Sequence, residues 1–336
     1  MIKRALLACM MFSCSVFAEN SPDFDVWLEQ LKSEALSKGI SQSNIDRAFA
    51  HVQFKKRVIK SDRKQAEFTE SYHDYIERRV GDVRVKQGQA YLKKNLAKIE
   101  PIAQRYGVPA RFIVAIIGVE TNYGSYKLSH DLFNVLSTLA YDKRRGARFR
   151  KEIFASLEMI ETEQASFEQL KSSWAGALGV PQFMPSTYLQ YAVDYNGDGK
   201  KDIWTEGPDL YASVANYLSS YGWDEKRSWA RKVIVPPKKL VDFEEETQNY
   251  AEQALACKRY DKHLKGWRSL GQWDQEGITR MNGWSLPKVE VNASLIITNP
   301  ELSHGYLVYN NFCVLMRYNP SFKYALSVGV LADRLK

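Results

Sequence analysis

Cysteine and histidine are scarce in this chain, and their scarcity closes off several kinds of chemistry. Of the 4 cysteines in 336 residues, Cys9 and Cys14 lie near the start, which leaves Cys257 and Cys313 for the body of the protein. The 5 histidines are scattered and no H-E-x-x-H occurs, so a zinc hydrolase is not indicated. No G-x-S-x-G marks a nucleophile elbow. Ser61-Asp-Arg-Lys64 fits S-x-x-K, but without the accompanying S-D-N and K-T-G it is a chance match. There is no internal repeat and no low-complexity segment. Zinc-finger spacing, an RNA-binding aromatic signature and a basic run are also absent, so nucleic acid is not an expected partner. The net charge of +8 still favours an anionic one.

What remains has ordinary globular composition, 45% hydrophobic and 26% charged, with length for two or three modest domains. Met1–Ala18 reads as a secretory signal, with Lys3 and Arg4, an apolar run from Ala5 to Phe17, and Val16-Phe17-Ala18 before Glu19. That run is too short for a lasting bilayer anchor. Cys9 and Cys14 lie inside it and suit a lipoprotein site poorly, so an exported, soluble chain is expected. In an oxidising compartment Cys257 and Cys313 either pair, closing a loop worth about 4 kcal/mol in the chain-entropy model, or stay as two separate thiols.

Apolar spacing predicts mostly helices. Phe24, Trp27, Leu28, Leu31 and Ala35 define a helix over 23–38 that Gly39 stops, and 41–58 reads as a second. Residues 71–104 are helical and charged, with Arg78, Arg79, Arg84, Lys86, Lys93 and Lys94 as a solvated face or the basic wall of a groove. Further helices are expected over 132–141, 149–163, 187–193 (capped by Ser186) and 209–221, with a last one over 321–335. Residues 232–235, 289–298 and 306–316 read as strands, with a helical piece over 244–257 between them. The fold class is therefore α+β, mainly helical. Its expected divisions are an N-terminal helical domain (19–100), a core (101–230), a small mixed β-containing insert (231–302) and a C-terminal segment completing the core (303–336).

The stretch Arg111–Tyr123, R-F-I-V-A-I-I-G-V-E-T-N-Y, is an apolar helix ending on one carboxylate, with Pro109 as its start signal. Glu120 follows Ile113, Ile116 and Ile117 by seven, four and three residues and shares their face. Lost hydration there disfavours its charge, which suits a general acid. From Ser172 the chain is rich in Gly, Ala and Pro, so backbones can approach each other or a ligand closely. With Gln182 in that loop and Tyr123, Trp174, Phe183, Trp204 and Tyr217 nearby in sequence, a saccharide cleft is the functional reading, although each aromatic alone is more often core. Two-carboxylate glycosidases need a second acidic group; Asp131 and Asp142 fit only weakly by spacing.

The loop D-Y-N-G-D-G-K places Asp194, Asn196 and Asp198 at positions 1, 3 and 5 of an EF-hand, Gly199 at the turn and the Lys200 carbonyl at 7. Thr205 replaces the usual closing Glu, so Asp202, Glu206 or Asp209 must close the shell. Structural calcium is favoured over a metal-free Asx-rich turn.

The motifs G-V-E-T-N-Y-G, S-S-W-A-G-A-L-G-V-P-Q-F-M-P-S-T, D-Y-N-G-D-G-K, S-V-A-N-Y-L and M-R-Y-N occur in the order found in the lytic murein transglycosylase B family. The chain resembles that family from about Asp62 onward. The resemblance implies a lysozyme-like catalytic core and a periplasmic enzyme acting on peptidoglycan. It makes Glu120 the single acid/base and places Tyr75, Ser173, Gln182, Met184, Tyr217, Tyr318 and Asn319 in the cleft. It aligns Asp209 with the late calcium ligand, one residue out of step. Asn319 is also a candidate cap for the last helix. Expected partners are glycan strands and other cell-wall enzymes, with the chain a monomer. A lysozyme-type hydrolase and a non-catalytic peptidoglycan-binding protein are the competing readings.

Overall fold

A computed structural model describes residues 22–63, 70–240 and 267–336. The leader and the helical piece expected over 244–257 lie outside the described residues.

Helix α1 (Pro22–Ser37) buries Phe24, Leu28, Leu31 and Ala35, and Gly39 ends it at a left-handed φ of 87°. The single helix expected over 41–58 is instead two, α2 (Gln42–Phe49) and α3 (Lys56–Arg63). Between them the amides of Gln53 and Lys55 donate to the Asn134 and Thr138 side chains, so tertiary bonds replace the helical ladder. The charged segment is likewise broken, into α4 (Tyr72–Arg79) and α5 (Asp82–Tyr106), at Val80-Gly81. Gly81 takes the extended N-cap conformation of α5.

Helix α6 (Ala110–Thr121) follows from N-cap Pro109 and is buried along nearly its whole length. It packs against α5 across a contact that only glycine permits. The Tyr123 ring lies over Gly118, its hydroxyl reaches the Arg84 carbonyl, and a Cβ on Gly118 or Gly88 would meet that ring side chain at 2.6 or 2.2 Å. Next come β1 (His130–Asp131), α7 (Leu132–Tyr141), α8 (Gly146–Glu161), β2 (Lys171–Ser172), α9 (Pro185–Tyr191) and α10 (Pro208–Ser220). Met184 rather than Ser186 is the N-cap of α9, because the Ser186 amide and hydroxyl both donate to the buried Glu152 carboxylate.

The second region is an antiparallel sheet in the order β4-β6-β7-β3-β5, with β3 Ala230–Ile234, β4 Arg268–Ser269, β5 Thr279–Arg280, β6 Asn292–Asn299 and β7 His304–Val308. Val233, Leu295, Leu307 and Trp273, the last from α11 (Leu270–Gln275), form its own small core. The strand expected over 306–316 continues only to Val308, and α12 (Asn310–Tyr318) takes the rest. A continuous apolar run cannot distinguish strand from buried helix by periodicity. Here the Asn311 amide donates to the Asp224 and Arg227 carbonyls and fixes the helix start. Cys313 on α12 is buried and disulfide-bonded, which removes the free-thiol reading for it; Cys257 lies outside the described residues.

Helix α13 (Phe322–Arg334), capped by Ser321, returns to pack on α6. One continuous apolar core runs from Phe24 in α1 to Leu335 after α13. The α+β, mainly helical fold class agrees with the structure.

Candidate active site

Helix α6 ends at Thr121, and Asn122 and Tyr123 both adopt left-handed φ, at 49° and 60°. Such conformations cost energy in non-glycine residues and persist where tertiary contacts enforce them. Here the Thr121 hydroxyl donates to the Val180 carbonyl at 3.0 Å and accepts the Gly124 amide at 3.1 Å, locking the end of α6 to the loop after β2. Glu120, half-buried, faces a cleft of about 1110 Å³ from this anchored position. Its Oε1 accepts a 2.7 Å hydrogen bond from the Tyr324 hydroxyl of α13. Burial, with the Glu120 charge beside it, pushes the Tyr324 phenol well above its ordinary range, so it remains a donor at working pH.

The wall opposite α13 is the small-residue loop. Ser173 exchanges hydrogen bonds with Ala177, Leu178 pairs with Phe183, and the Gln182 amide nitrogen donates to the Gly179 carbonyl at 2.9 Å. Gln182 itself sits at φ 54°, which presents its side chain at the cleft. Gly179 is required at φ 63°, since a Cβ would lie 2.6 Å from the Ile203 carbonyl oxygen. Ser173, Trp174, Gln182 and Met184 line this side.

Tyrosines brace the floor. Tyr318 donates to the Pro181 carbonyl at 2.7 Å and stacks on Tyr324 at 6.4 Å, tying α12 and α13 to the loop. Tyr217 donates to the Arg317 carbonyl at 2.6 Å and packs edge-on against Tyr318 at 4.8 Å. It packs behind Tyr318 and is not among the residues that line the cleft. Tyr75, Tyr318 and Asn319 do line it. Ser321, not Asn319, caps α13, which leaves the Asn319 side chain at the cleft.

The structure therefore brings together Glu120, Tyr75, Ser173, Gln182, Met184, Tyr318 and Asn319, with Tyr217 behind them. Among the described residues, Glu120 is the one carboxylate lining the cleft. Asp131 caps α7 instead, and Asp142 pairs with Arg63. Of the five aromatics near in sequence, Trp174 alone lines the cleft; Tyr123, Phe183, Trp204 and Tyr217 pack beneath or beside it.

Two elements of the site were missed in the sequence. Tyr324 lies 204 positions from its partner, in a helix with no motif around it. The basic wall is also not where the charged 71–104 segment suggested. Only Arg79 from that segment lines the cleft, while Lys56, Arg57 and Lys60 of α3 and Arg145 and Arg148 near the start of α8 supply the rest. The short clusters K-K-R-V-I-K and K-R-R-G-A-R, too brief to count as basic runs, were the available signal. Arg144 and Arg145 both pair with the buried Asp62.

Away from the cleft, carboxylate oxygens of Asp194, Asp198 and Asp209 converge within 4.8 Å of one another. Asp209 is buried, and its carboxylate accepts the amides of Tyr195, Asn196 and Asp202. Asp194 accepts those of Gly197, Asp198 and Gly199. Three carboxylates so close repel unless a cation sits among them, and all-oxygen donors suit a hard divalent ion. Glu206 is drawn off to Lys94 and Asp202 to Thr205, so of the three candidate acids Asp209 is the one that converges on Asp194 and Asp198.

Residues 23–333 match the protein-family description "Transglycosylase SLT domain". A 121-residue stretch is 46% identical to the membrane-bound lytic murein transglycosylase B of Escherichia coli strain K12, covering 36% of this chain and 33% of that protein; the match thus spans about a third of that relative. The structure is similar to SltB3 of Pseudomonas aeruginosa in complex with NAG-anhNAM-pentapeptide, with TM-score 0.79 and 37% identity over 92% of this chain and 78% of that one. It is also similar to the Escherichia coli lytic transglycosylase Slt35 in complex with calcium, with TM-score 0.74 and 26% identity over 92% of both chains.

Proposed function

The chain belongs to the transglycosylase SLT domain family of lytic murein transglycosylases, and from that premise we propose that it cleaves peptidoglycan strands between N-acetylmuramic acid and N-acetylglucosamine without water. The observation that carries the reading is the lone carboxylate: Glu120 faces a polar, basic cleft with no second acid among its described lining residues. A scheme with a carboxylate on each side of the bond has no second residue to use; a scheme in which one residue acts twice needs none.

In the first step protonated Glu120 donates to the glycosidic oxygen and the C1–O bond breaks, with the substrate's acetamido oxygen supporting the oxocarbenium-like carbon. Glu120, now a carboxylate, then takes the proton of the muramoyl 6-hydroxyl as O6 bonds to C1. The product end is a 1,6-anhydro ring, and Glu120 is returned to its acid form. The local structure serves both states: the buried Ile113, Ile116 and Ile117 on α6 favour the neutral acid, and the Tyr324 hydroxyl favours the carboxylate. Gln182, Ser173, Asn319 and the Trp174 ring are suited to hold amide and hydroxyl groups and a sugar face, and the cationic wall suits an anionic polymer. SltB3 is similar in structure and was captured with NAG-anhNAM-pentapeptide, a fragment of this product type.

Asp194, Asn196, Asp198, the Lys200 carbonyl and Asp209 are proposed to hold a structural calcium ion, supported by the converging carboxylates and the likeness to calcium-bound Slt35. When bound, such an ion braces the segment between α9 and α10. Export to the periplasm is part of the same reading. Among the described residues no single helix is long and apolar enough to cross a membrane.

Digesting purified sacculi with the wild-type chain and with Glu120→Gln tests the proposal. The wild type should release anhydro-ended fragments while the variant, folded, releases none. Near-normal release by Glu120→Gln would overturn it, and reducing ends from the wild type would point to a hydrolase.

A further inference from the structure

The small sheet carries a second charged recess that shares no lining residue with the catalytic cleft. Strand β3 outruns its edge partner. β5 pairs only with Val233 and Ile234, whereas β7 pairs with all of Ala230–Ile234 on the other side. Ala230, Arg231 and Lys232 thus border an opening of about 450 Å³ where, among the described residues, the sheet edge is unpaired. The turn after β5 closes one end. It is held by the Arg280 amide donating to the Trp284 carbonyl and the Gly283 amide to Arg280, both at 2.9 Å.

Arg231, Lys232 and Arg280 line this recess together. Among the described residues none of the three is ion-paired to a carboxylate, although the protein pairs many other cations in this way. Arg231 Nε makes only a 3.4 Å bond to the Tyr309 hydroxyl, and Arg280 Nε is buried with no hydrogen-bond partner. Three cations gathered without a counter-charge repel one another, and a buried donor left unmade is uncommon in a folded chain. Met281 and Trp284 on the same turn are 42% and 68% exposed, which gives the recess an apolar flank.

We propose that this recess binds an extended peptide stem of peptidoglycan through its free carboxylates, so that the sheet region holds the polymer while the cleft cuts it. The inference rests on the lytic transglycosylase reading. An unpaired strand edge offers main-chain hydrogen bonds to an extended peptide, and guanidinium forks match carboxylates in plane. A bare glycan keeps only the lactyl carboxylates of its muramic acids and has no main chain to pair with the strand edge. The exposed strand edge beside cations therefore favours the stem over the sugar chain.

The test uses the full chain carrying Glu120→Gln, so that sacculi stay intact, and measures co-sedimentation with peptide-bearing sacculi and with glycan stripped of its stems. Adding Arg231→Gln and Lys232→Gln should weaken binding to peptide-bearing sacculi about tenfold, equal to about 1.4 kcal/mol, and weaken binding to stripped glycan far less. Adding Arg280→Gln should weaken it further, and the two-residue variant keeps the test readable if the third change harms folding. Equal binding by parent and variant, or an equal loss on both substrates, would overturn the proposal. An acidic protein segment as the true occupant would show as the first of these. With Glu120 restored, the two-residue variant should cleave stem-free glycan at the parental rate. Failure of the parent itself to cleave would instead count against the proposed activity.

Discussion

Replacing Tyr324 by Phe removes one oxygen and leaves the ring that stacks on Tyr318. The lost group is the hydroxyl 2.7 Å from Glu120 Oε1. A hydrogen bond to a charged acceptor is worth about 1.5–3 kcal/mol, and Tyr324 does not itself ionise at working pH, so the whole effect falls on the balance between the two forms of Glu120. Without the donor the carboxylate is disfavoured relative to the acid. The alkaline limb of the kcat/KM profile, where Glu120 loses the proton it must donate, should then move up by about one to two pH units. Turnover at neutral pH should fall about tenfold or more, because the carboxylate that develops as Glu120 gives up its proton in the first step has lost its hydrogen-bond donor. The assay is release of soluble fragments from sacculi across pH 5 to 9, with a thermal melt as control. A profile superimposable on wild type would refute the reasoning. A lower melting temperature with an unmoved profile would mean that Tyr324 is only a packing residue.

Two other outcomes follow from the same structure. Burial raises the Tyr72, Tyr211 and Tyr306 phenols to about 12 and Tyr318 and Tyr324 well above 10. Raised folded values mean that the native state holds protons the unfolded chain releases, so stability is full below the unfolded value of 10.0 and falls as pH rises from there through 12; melts at successive alkaline pH values should show this decline. Calcium should raise the melting temperature of the wild type in proportion to the logarithm of its free concentration, and Asp209→Asn should abolish most of that response. An equal calcium response in both proteins would show that the ion binds elsewhere.

The helical part of the fold was legible because its apolar spacing is regular and its stops are explicit, as at Gly39. It failed where the decisive bonds were long-range. Nothing local to Gln53 and Lys55 reveals that their amides will be taken by Asn134 and Thr138, and so one expected helix became two. The segment 306–316 failed for another reason: a continuous apolar run has the same pattern in a strand as in a buried helix. In the cleft, Glu120, Gln182 and Tyr318 sit in motifs and could be named. Tyr324 reaches the site only through tertiary packing, with no mark in its sequence surroundings, and the α3 cations show in sequence only as a short basic cluster that nothing local ties to the cleft. Asp209 was distinguishable from Glu206 only once the structure showed which acid turns into the loop and which goes to Lys94.

The claim at the centre is that Glu120 works alone and that the substrate's own hydroxyl, not water, closes the reaction. Digestion of sacculi in water enriched in heavy oxygen, followed by mass spectrometry of the fragment ends, tests it most directly. Anhydro ends that carry no heavy oxygen are the expected result. Reducing ends carrying one heavy oxygen per cut would contradict it.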